Sequence, residues 1–290
     1  MVVSGRFLAV DWGTTNRRVF LIEDGAVVHA EQDARGAAAT TDFPAEVADV
    51  RARLGDLPML LAGMVGSNIG WRAVAYAPAP AGFAELAAAL EPIAPATAIV
   101  PGVSFRDGAR ADVMRGEEVQ LLGAAAAGMT PADALLCQPG THCKWVTIEA
   151  GRIARFTTAM TGELFAMLRA HSLLSRQLGG KVADGAPFRD GVSEGARRDL
   201  AASLFGIRAS GLLGVRDDAD AAAFASGLLI GADVAARLAE AEGEVVHILA
   251  DARLGGLYAA AIETLGGASR LVDSQAAFVA GITRIWEMAP

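Results

Sequence analysis

The chain has 290 residues, 53% of them of the AVILMFWYC class, and carries 25 Lys and Arg against 33 Asp and Glu, a net charge of −8 at pH 7. That length suits two domains or one large α/β domain, since single hydrophobic cores stop growing near it. No uninterrupted apolar run reaches the roughly 18 residues a bilayer demands, and no basic stripe is present, so a membrane and a nucleic acid are both disfavoured and a small molecule is the expected partner.

The opening MVVSGRFLAVD lacks a long apolar h-region and a small-residue cleavage site, because Asp11 and Arg17 interrupt it early. Cys137 and Cys143 form neither a CxxC pair nor a zinc spacing. A reducing, cytoplasmic setting is expected. A homodimer is compatible with the sequence.

RFLAVD, RRVFLIED and AVVHAEQ read as three consecutive strands, with Asp24-Gly25 as a hairpin turn. PAEVADVRARL, from Pro44, reads as a helix with proline in its first turn, and LPMLLAG as a buried strand. MVGSNIGWRAVAYAPAPAG, from Met64, is rich in Gly and Pro and reads as a long loop, which inside a compact domain points to function. A helix from Phe83 to Leu90 and a strand from Thr97 to Val100 follow. Beyond the middle of the chain, helices are expected at Gly162 to Leu168, Val192 to Leu204 and Ala219 to Ala241. The tail alternates strand EVVHIL, helix GLYAAAIETLG, strand SRLVD and helix SQAAFVAGITRIW.

From Ala134 the opening pattern recurs. LLCQPGTHCKWVTIEAGRIARFTT is again strand, glycine turn, strand, tight turn and strand. Setting Gly13 on Gly140 places Thr14 on Thr141, Thr15 on His142, Arg17 on Lys144 and Asp11 on Gln138, with the turns EDG and EAG one residue out of step. Internal repetition of this kind implies two similar domains, here residues 1–124 and 125–290.

A phosphate needs inward-pointing N–H groups without side chains in the way, together with hydroxyl donors. Gly13, Thr14, Thr15 and Asn16 supply both, as do Gly140, Thr141 and His142. Asp11 would sit comfortably beside such an anion only through a cation, which suggests that it organises Mg²⁺ and its waters beside a polyphosphate. The two turns would then grip one polyphosphate from opposite sides, only the first bringing a metal carboxylate. The competing reading is a polar β-turn that Asp11 merely caps.

The blocks DWGTTNRR, GTHCKW, LAGMVGSNIGW, DVMRGEEVQLLG, TGELFAMLRAHSLL and SGLLIGADV occur in order from Val10 to Val234. Together they resemble the 2-dehydro-3-deoxygalactonokinase family, within the superfamily of sugar kinases, actin and Hsp70-type ATPases. The resemblance implies an α/β fold of two ribonuclease-H-like (actin-like ATPase) domains facing across a nucleotide cleft. It further implies transfer of a phosphoryl group from ATP, with Mg²⁺, to the 6-hydroxyl of 2-dehydro-3-deoxy-D-galactonate in galactonate catabolism.

Such a transfer demands positioning, charge neutralisation and a carboxylate to take the hydroxyl proton. Asp112, Glu117 and Glu118 are the candidates. Glu117 is favoured because related carbohydrate kinases carry a carboxylate after a glycine at a helix start, here Gly116. A substrate carboxylate calls for a fixed cation, with Arg18, Arg72, Arg115 and Lys144 as candidates, while Ser67, Asn68 and Trp71 would line the sugar pocket. By the same resemblance Gly255 and Gly256 would lie under the nucleotide. Two alternatives stand: a kinase for another sugar or sugar acid, and a nucleotide-binding regulator without transferase activity.

Overall fold

The computed structural model describes residues 5–241 and 243–290. The first half opens with β1 (Arg6–Trp12), β2 (Arg17–Glu23), β3 (Ala26–Asp33), α1 (Phe43–Leu54) and β4 (Met59–Gly63). After a short 3₁₀ turn come β5 (Ala77–Pro78), α2 (Phe83–Ala88), β6 (Glu91–Ala94), β7 (Thr97–Ile99), β8 (Val103–Asp107), β9 (Arg110–Met114) and α3 (Glu117–Ala126). The second half runs through β10 (Ala134–Gln138), β11 (Cys143–Glu149), β12 (Arg152–Ala159), α4 (Thr161–His171), α5 (Ala186–Gly195) and α6 (Leu200–Leu212). It ends with α7 (Asp218–Leu238), β13 (Val245–Leu249), α8 (Ala252–Thr264), β14 (Ala268–Val272) and α9 (Ser274–Met288).

Two sheets share one design. The first has the order β3-β2-β1-β4-β7-β6 and the second β12-β11-β10-β13-β14. In both, the first strand of a meander runs parallel to a later strand, β1 with β4 and β10 with β13. This is the ribonuclease-H-like pattern, and it bears out the internal duplication. The hairpin turns agree down to the backbone: φ is 49° and 79° at Asp24 and Gly25, and 49° and 71° at Ala150 and Gly151. Two successive positive φ values are what a two-residue hairpin needs to match the twist of its strands.

Burial follows strand position. β4 is buried along its whole length, as a strand covered on both faces must be, whereas β3 shows mostly exposed residues at the sheet edge. α1 starts where Asp42 accepts the Ala45 N–H at 3.0 Å, with proline in the first turn as expected. The segment SFRDGARADV, Ser104 to Val113, forms the β8–β9 hairpin around Gly108-Ala109. The expected helix Val192 to Leu204 is instead two, α5 and α6. Arg198 adopts φ 66° between them, a left-handed value that no helix tolerates, and α6 starts afresh after its N-cap, Asp199.

The chain divides into two compact units that are not consecutive halves. The first holds residues up to Asp133 together with Ile148–Phe156 and Ser274–Pro290; the second holds Ala134–Thr147 and Thr157–Asp273. α9 therefore returns to the first unit, where Trp286 stacks on Phe7 at 4.8 Å and Phe278 packs on Phe20 at 5.5 Å. The crossing of α9 with α3 is close enough that a Cβ on Gly123 would stand 2.0 Å from the Ala277 carbonyl oxygen, and one on Gly281 would stand 2.0 Å from that of Val119.

In the second unit α5 and α7 meet backbone to backbone through two reciprocal G-x-x-x-G pairs. A Cβ on Gly191 or Gly195 would strike the carbonyls of Phe224 or Leu228, and one on Gly227 or Gly231 those of Phe188 or Val192, all at 2.0 to 2.3 Å. α7 is long and apolar enough to cross a membrane by composition, but two-thirds of that stretch is buried here against its neighbours. Gly227→Ala is expected to cost ~2 kcal/mol or more in a urea melt, because neither backbone can yield. Gly256→Ala in α8 meets nothing within 4 Å and should be neutral or slightly stabilising. Equal melts for the two variants would contradict the tight crossing.

Candidate active site

The carboxyl end of β1 carries Asp11, directly across the ladder from Arg18 on β2. Their side chains meet at 3.1 Å, Arg18 Nη1 to Asp11 Oδ2, so the arginine expected to face a substrate carboxylate is the counter-ion of Asp11. Burial pushes the Asp11 carboxyl above its usual range, Arg18 pulls it back by charge and hydrogen bond, and the charge on Glu117 raises it again.

Glu117 comes near because three backbones stack closely. A Cβ on Gly63, at the end of β4, would stand 2.7 Å from the Trp12 carbonyl oxygen, and one on Gly116 would stand 3.0 Å from the Gly63 Cα. Both glycines have positive φ, 92° and 104°. α3 can thus begin against the ends of β1 and β4 and present its first residue, Glu117, toward Asp11. Glu117 Oε2 accepts the Arg115 N–H at 2.9 Å, and Glu118 Oε2 accepts the Gly116 N–H at 2.7 Å. Glu118 is fully buried, its Oε1 has no partner, and burial with the neighbouring Glu117 charge pushes its pKa to about 8. The shift favours its protonated form near neutral pH. Asp112 sits on β9 opposite Phe105, its Oδ1 taken by the Val113 N–H at 2.8 Å. Of the two preferred bases, Glu117 is the one whose charge acts on Asp11.

The first turn is held by its carbonyls. The Gly13 N–H bonds back to the Asn16 carbonyl at 2.9 Å, while Gly36, Ala37 and Ala38 donate to the carbonyls of Thr15, Gly13 and Thr14. Those carbonyls are engaged, and Thr14, Thr15 and Asn16 are exposed residues, which leaves the turn accessible to an anion. Behind it lies a charged support that sequence reading missed. Arg17 is fully buried, pairs with Asp33 at 2.6 Å and Glu46 at 2.8 Å, and lies 5.1 Å from the Trp12 ring. A charge at an inward position of a strand was the available signal.

The second turn is built alike. Gly162 opens α4 so close to it that a Cβ there would stand 2.4 Å from the Gly140 carbonyl, and the Thr141 carbonyl accepts the Glu163 N–H at 2.9 Å. His142 Nε2 and Glu163 Oε2 are 2.5 Å apart, which fixes the ring. Gly140 also borders a cavity of 590 Å³ within the second unit, walled by Phe165, Leu229, Leu257 and Tyr258 and edged by Arg169, Lys181 and Arg253. Asp233, on α7, accepts from Trp145 Nε1 at 3.0 Å, Thr161 Oγ1 at 3.1 Å and Tyr258 OH at 3.4 Å, tying two cavity walls to the strand that leaves the turn. Nothing in the sequence around Asp233 announced that role.

Several expected contacts lie elsewhere. Gly255 packs in α8 where a Cβ would stand 2.7 Å from Leu271 Cδ2, and neither it nor Gly256 lines the cavity. The helix offers the cavity its Arg253, Leu254, Leu257 and Tyr258 instead, while Asp251 caps it by accepting the N–H groups of Arg253 and Leu254. Arg72 pairs with Glu91 on the surface at 3.2 Å. Lys144 is buried with its Nζ on Thr158 Oγ1 at 2.8 Å. Ser67 closes its own turn, donating to the Met64 carbonyl at 2.7 Å, and Trp71 stacks on Phe43 in the first unit's core; Asn68 is exposed. Arg115 is nine-tenths buried, its Nη2 donating to the Val74 carbonyl at 2.6 Å.

A family model described as 2-keto-3-deoxy-galactonokinase matches residues 11–285. The chain belongs to the 2-keto-3-deoxy-galactonokinase family. Over 300 residues it is 40% identical to a Rhizobium meliloti (strain 1021) protein named "Probable 2-dehydro-3-deoxygalactonokinase DgoK1", covering 98% of this chain and 97% of that one. It is 36% identical over 289 residues to the 2-dehydro-3-deoxygalactonokinase of Escherichia coli (strain K12), with 98% of each chain covered. A crystal structure from Sinorhizobium meliloti, provisionally assigned to the same activity, superposes with a TM-score of 0.90 at 37% identity over 96% of this chain and 97% of that one. As a member of the galactonokinase family the chain is a phosphotransferase with an alcohol acceptor, and its two units have the actin-like ATPase fold.

Proposed function

We propose that this chain is the ATP-dependent kinase of 2-dehydro-3-deoxy-D-galactonate, phosphorylating its 6-hydroxyl in galactonate catabolism in the cytoplasm. The observation that carries the residue assignment is the convergence of a desolvated Asp11 and the first residue of α3, Glu117, beside an exposed turn of Thr14, Thr15 and Asn16.

The nucleoside would occupy the 590 Å³ cavity of the second unit, whose apolar walls and flanking cations suit a base and an anionic tail. Because Gly140 belongs to both the cavity wall and the turn, phosphates leaving the cavity would meet the N–H groups of Thr141 and His142. In the first unit Thr14, Thr15 and Asn16 would donate to the transferred group. Asp11 fits a Mg²⁺ site: a desolvated carboxylate with Arg18 as its counter-ion is short of positive charge, and this ion is usually held by one or two carboxylates with phosphates and waters. When bound, Mg²⁺ would neutralise phosphate charge. Glu117, one oxygen engaged by the Arg115 N–H, would use the other to take the proton of the 6-hydroxyl as that oxygen bonds to the γ-phosphorus and the bond to ADP breaks.

The test is ADP release across a panel of 2-keto-3-deoxy sugar acids and neutral sugars, with the phosphorylated carbon located by NMR. The galactonate derivative is expected to lead with phosphate on C6. Equal rates on neutral sugars would sink the substrate assignment, and nucleotide binding with no acceptor-dependent ADP release would sink the kinase reading.

A further inference from the structure

The first phosphate turn is exposed at Thr14, Thr15 and Asn16, and a backbone bond from the Gly13 N–H to the Asn16 carbonyl at 2.9 Å closes it from within. An exposed turn of this kind takes its place from whatever lies behind it. Behind it is the segment that follows β3, where Gly36, Ala37 and Ala38 donate in succession to the carbonyls of Thr15, Gly13 and Thr14, at 3.2, 2.9 and 3.0 Å.

That segment is clamped. Asp33 accepts the Arg35 N–H at 2.9 Å and Arg17 Nη2 at 2.6 Å, and the Arg35 carbonyl accepts Trp12 Nε1 at 2.8 Å. Glu46 Oε2 accepts Arg17 Nη1 at 2.8 Å and Arg35 Nη1 at 3.0 Å. Arg17 is fully buried, so the clamp is anchored in the core and is not a solvated surface pair of little worth.

Gly36 is the point of contact between segment and turn. It is buried, and its φ lies outside the left-handed region, so the missing side chain serves space and not conformation. A Cβ there would stand 2.4 Å from the Thr14 carbonyl oxygen and from the Thr15 carbonyl carbon, and 2.5 Å from the Thr15 nitrogen. All three are backbone atoms of the turn. We propose that Gly36 is a positioning residue for phosphoryl transfer: its bare Cα lets the clamped segment set where the first turn meets the transferred phosphate. The assignment rests on the kinase reading above and deepens it. Gly36 itself touches neither nucleotide nor sugar in that reading and acts through Thr14 and Thr15.

In Gly36→Ala the added methyl and the turn cannot both keep their places. The segment is held by a buried charge and the turn is exposed, so it is the turn that moves. The experiment measures binding of ADP and of the non-hydrolysable β,γ-imido analogue of ATP by calorimetry with Mg²⁺, alongside kcat by ADP release on 2-dehydro-3-deoxy-D-galactonate. Gly36→Ala is expected to lower kcat by about 100-fold and to weaken the ATP analogue by about tenfold or more, the order set by misplacing a positioning group by roughly 1 Å. ADP binding should stay near wild type, because the cavity proposed for the nucleoside is lined by residues of the second unit. A structural role would lower the melting temperature and weaken the two nucleotides in parallel or not at all. Either pattern would overturn the assignment, as would a kcat close to wild type. Should Gly36→Ala fail to fold, Asp33→Asn decides, since it loosens the clamp without adding an atom: the same selective loss on the ATP analogue supports the role, and an unchanged ratio of the two affinities overturns it. A wild type that binds both nucleotides and phosphorylates no sugar acid would refute the kinase reading, a result distinct from an active enzyme whose nucleotide preference ignores Gly36.

Discussion

Glu117→Gln is expected to lower kcat for 2-dehydro-3-deoxy-D-galactonate by about 10³-fold, within the range a positioned general base contributes. The substitution is conservative where structure is concerned, since an amide oxygen can still accept the Arg115 N–H that Glu117 Oε2 accepts at 2.9 Å. It removes only the basic oxygen. The KM for ATP and the melting temperature should change little, because the cavity proposed for the nucleotide is lined by residues of the second unit. Loss of the negative charge should also relieve Asp11, whose pKa Glu117 raises. A kcat within tenfold of wild type would remove Glu117 from the chemistry and return Asp112, on β9, as the candidate, with Asp112→Asn as the deciding variant.

Asp11→Asn should reduce turnover by a comparable factor, and for a different reason. Its carboxylate is already strained by desolvation, and only Arg18 at 3.1 Å offsets that. An asparagine of the same shape is not penalised by burial as a charge is, so the fold should be as stable as wild type or slightly more so. The sign follows from the shift: a carboxyl whose folded pKa lies above its unfolded value binds protons more readily in the folded state, so its ionisation weakens folding as pH rises through that window. What the variant loses is the negative charge that would hold Mg²⁺ waters. Activity should therefore fall steeply and respond only weakly to added Mg²⁺. Near-normal activity at ordinary Mg²⁺ would dismiss the metal role.

The sequence exposed those features that depend on local chemistry. A D-x-G-T turn after an apolar strand, repeated 127 residues later as Q-P-G-T, was enough to expect twin sheets, and the matched φ pairs at Asp24-Gly25 and Ala150-Gly151 carry that likeness into the backbone. Glycine at 116 before two acids pointed to a helix start near the chemistry, and α3 begins there. Less visible was anything decided by partners remote in sequence. Arg18 looked free to meet a substrate because its cross-strand neighbour Asp11 becomes a neighbour only once β1 and β2 pair. Gly255 and Gly256 looked like a floor for a nucleotide, but helix phase turns Arg253, Leu254, Leu257 and Tyr258 to the cavity instead. Asp233 gathers donors from residues 145, 161 and 258, a set that no window along the chain contains. The division at residue 124 assumed that sequence order and spatial order agree, and α9 does not follow that order.

That last helix carries a consequence for how the molecule is made. α9 is synthesised after every residue of the second unit, yet it packs on α3 through Gly123 and Gly281 and on the first sheet through Phe278 and Trp286. Folding during synthesis generally proceeds from the N-terminus. Here a nascent chain halted anywhere before residue 274 would lack the partners that Phe7, Phe20 and Gly123 meet in the finished unit. Synthesis of residues 274–290, rather than emergence of the first 133 residues, is therefore the step that completes the N-terminal unit.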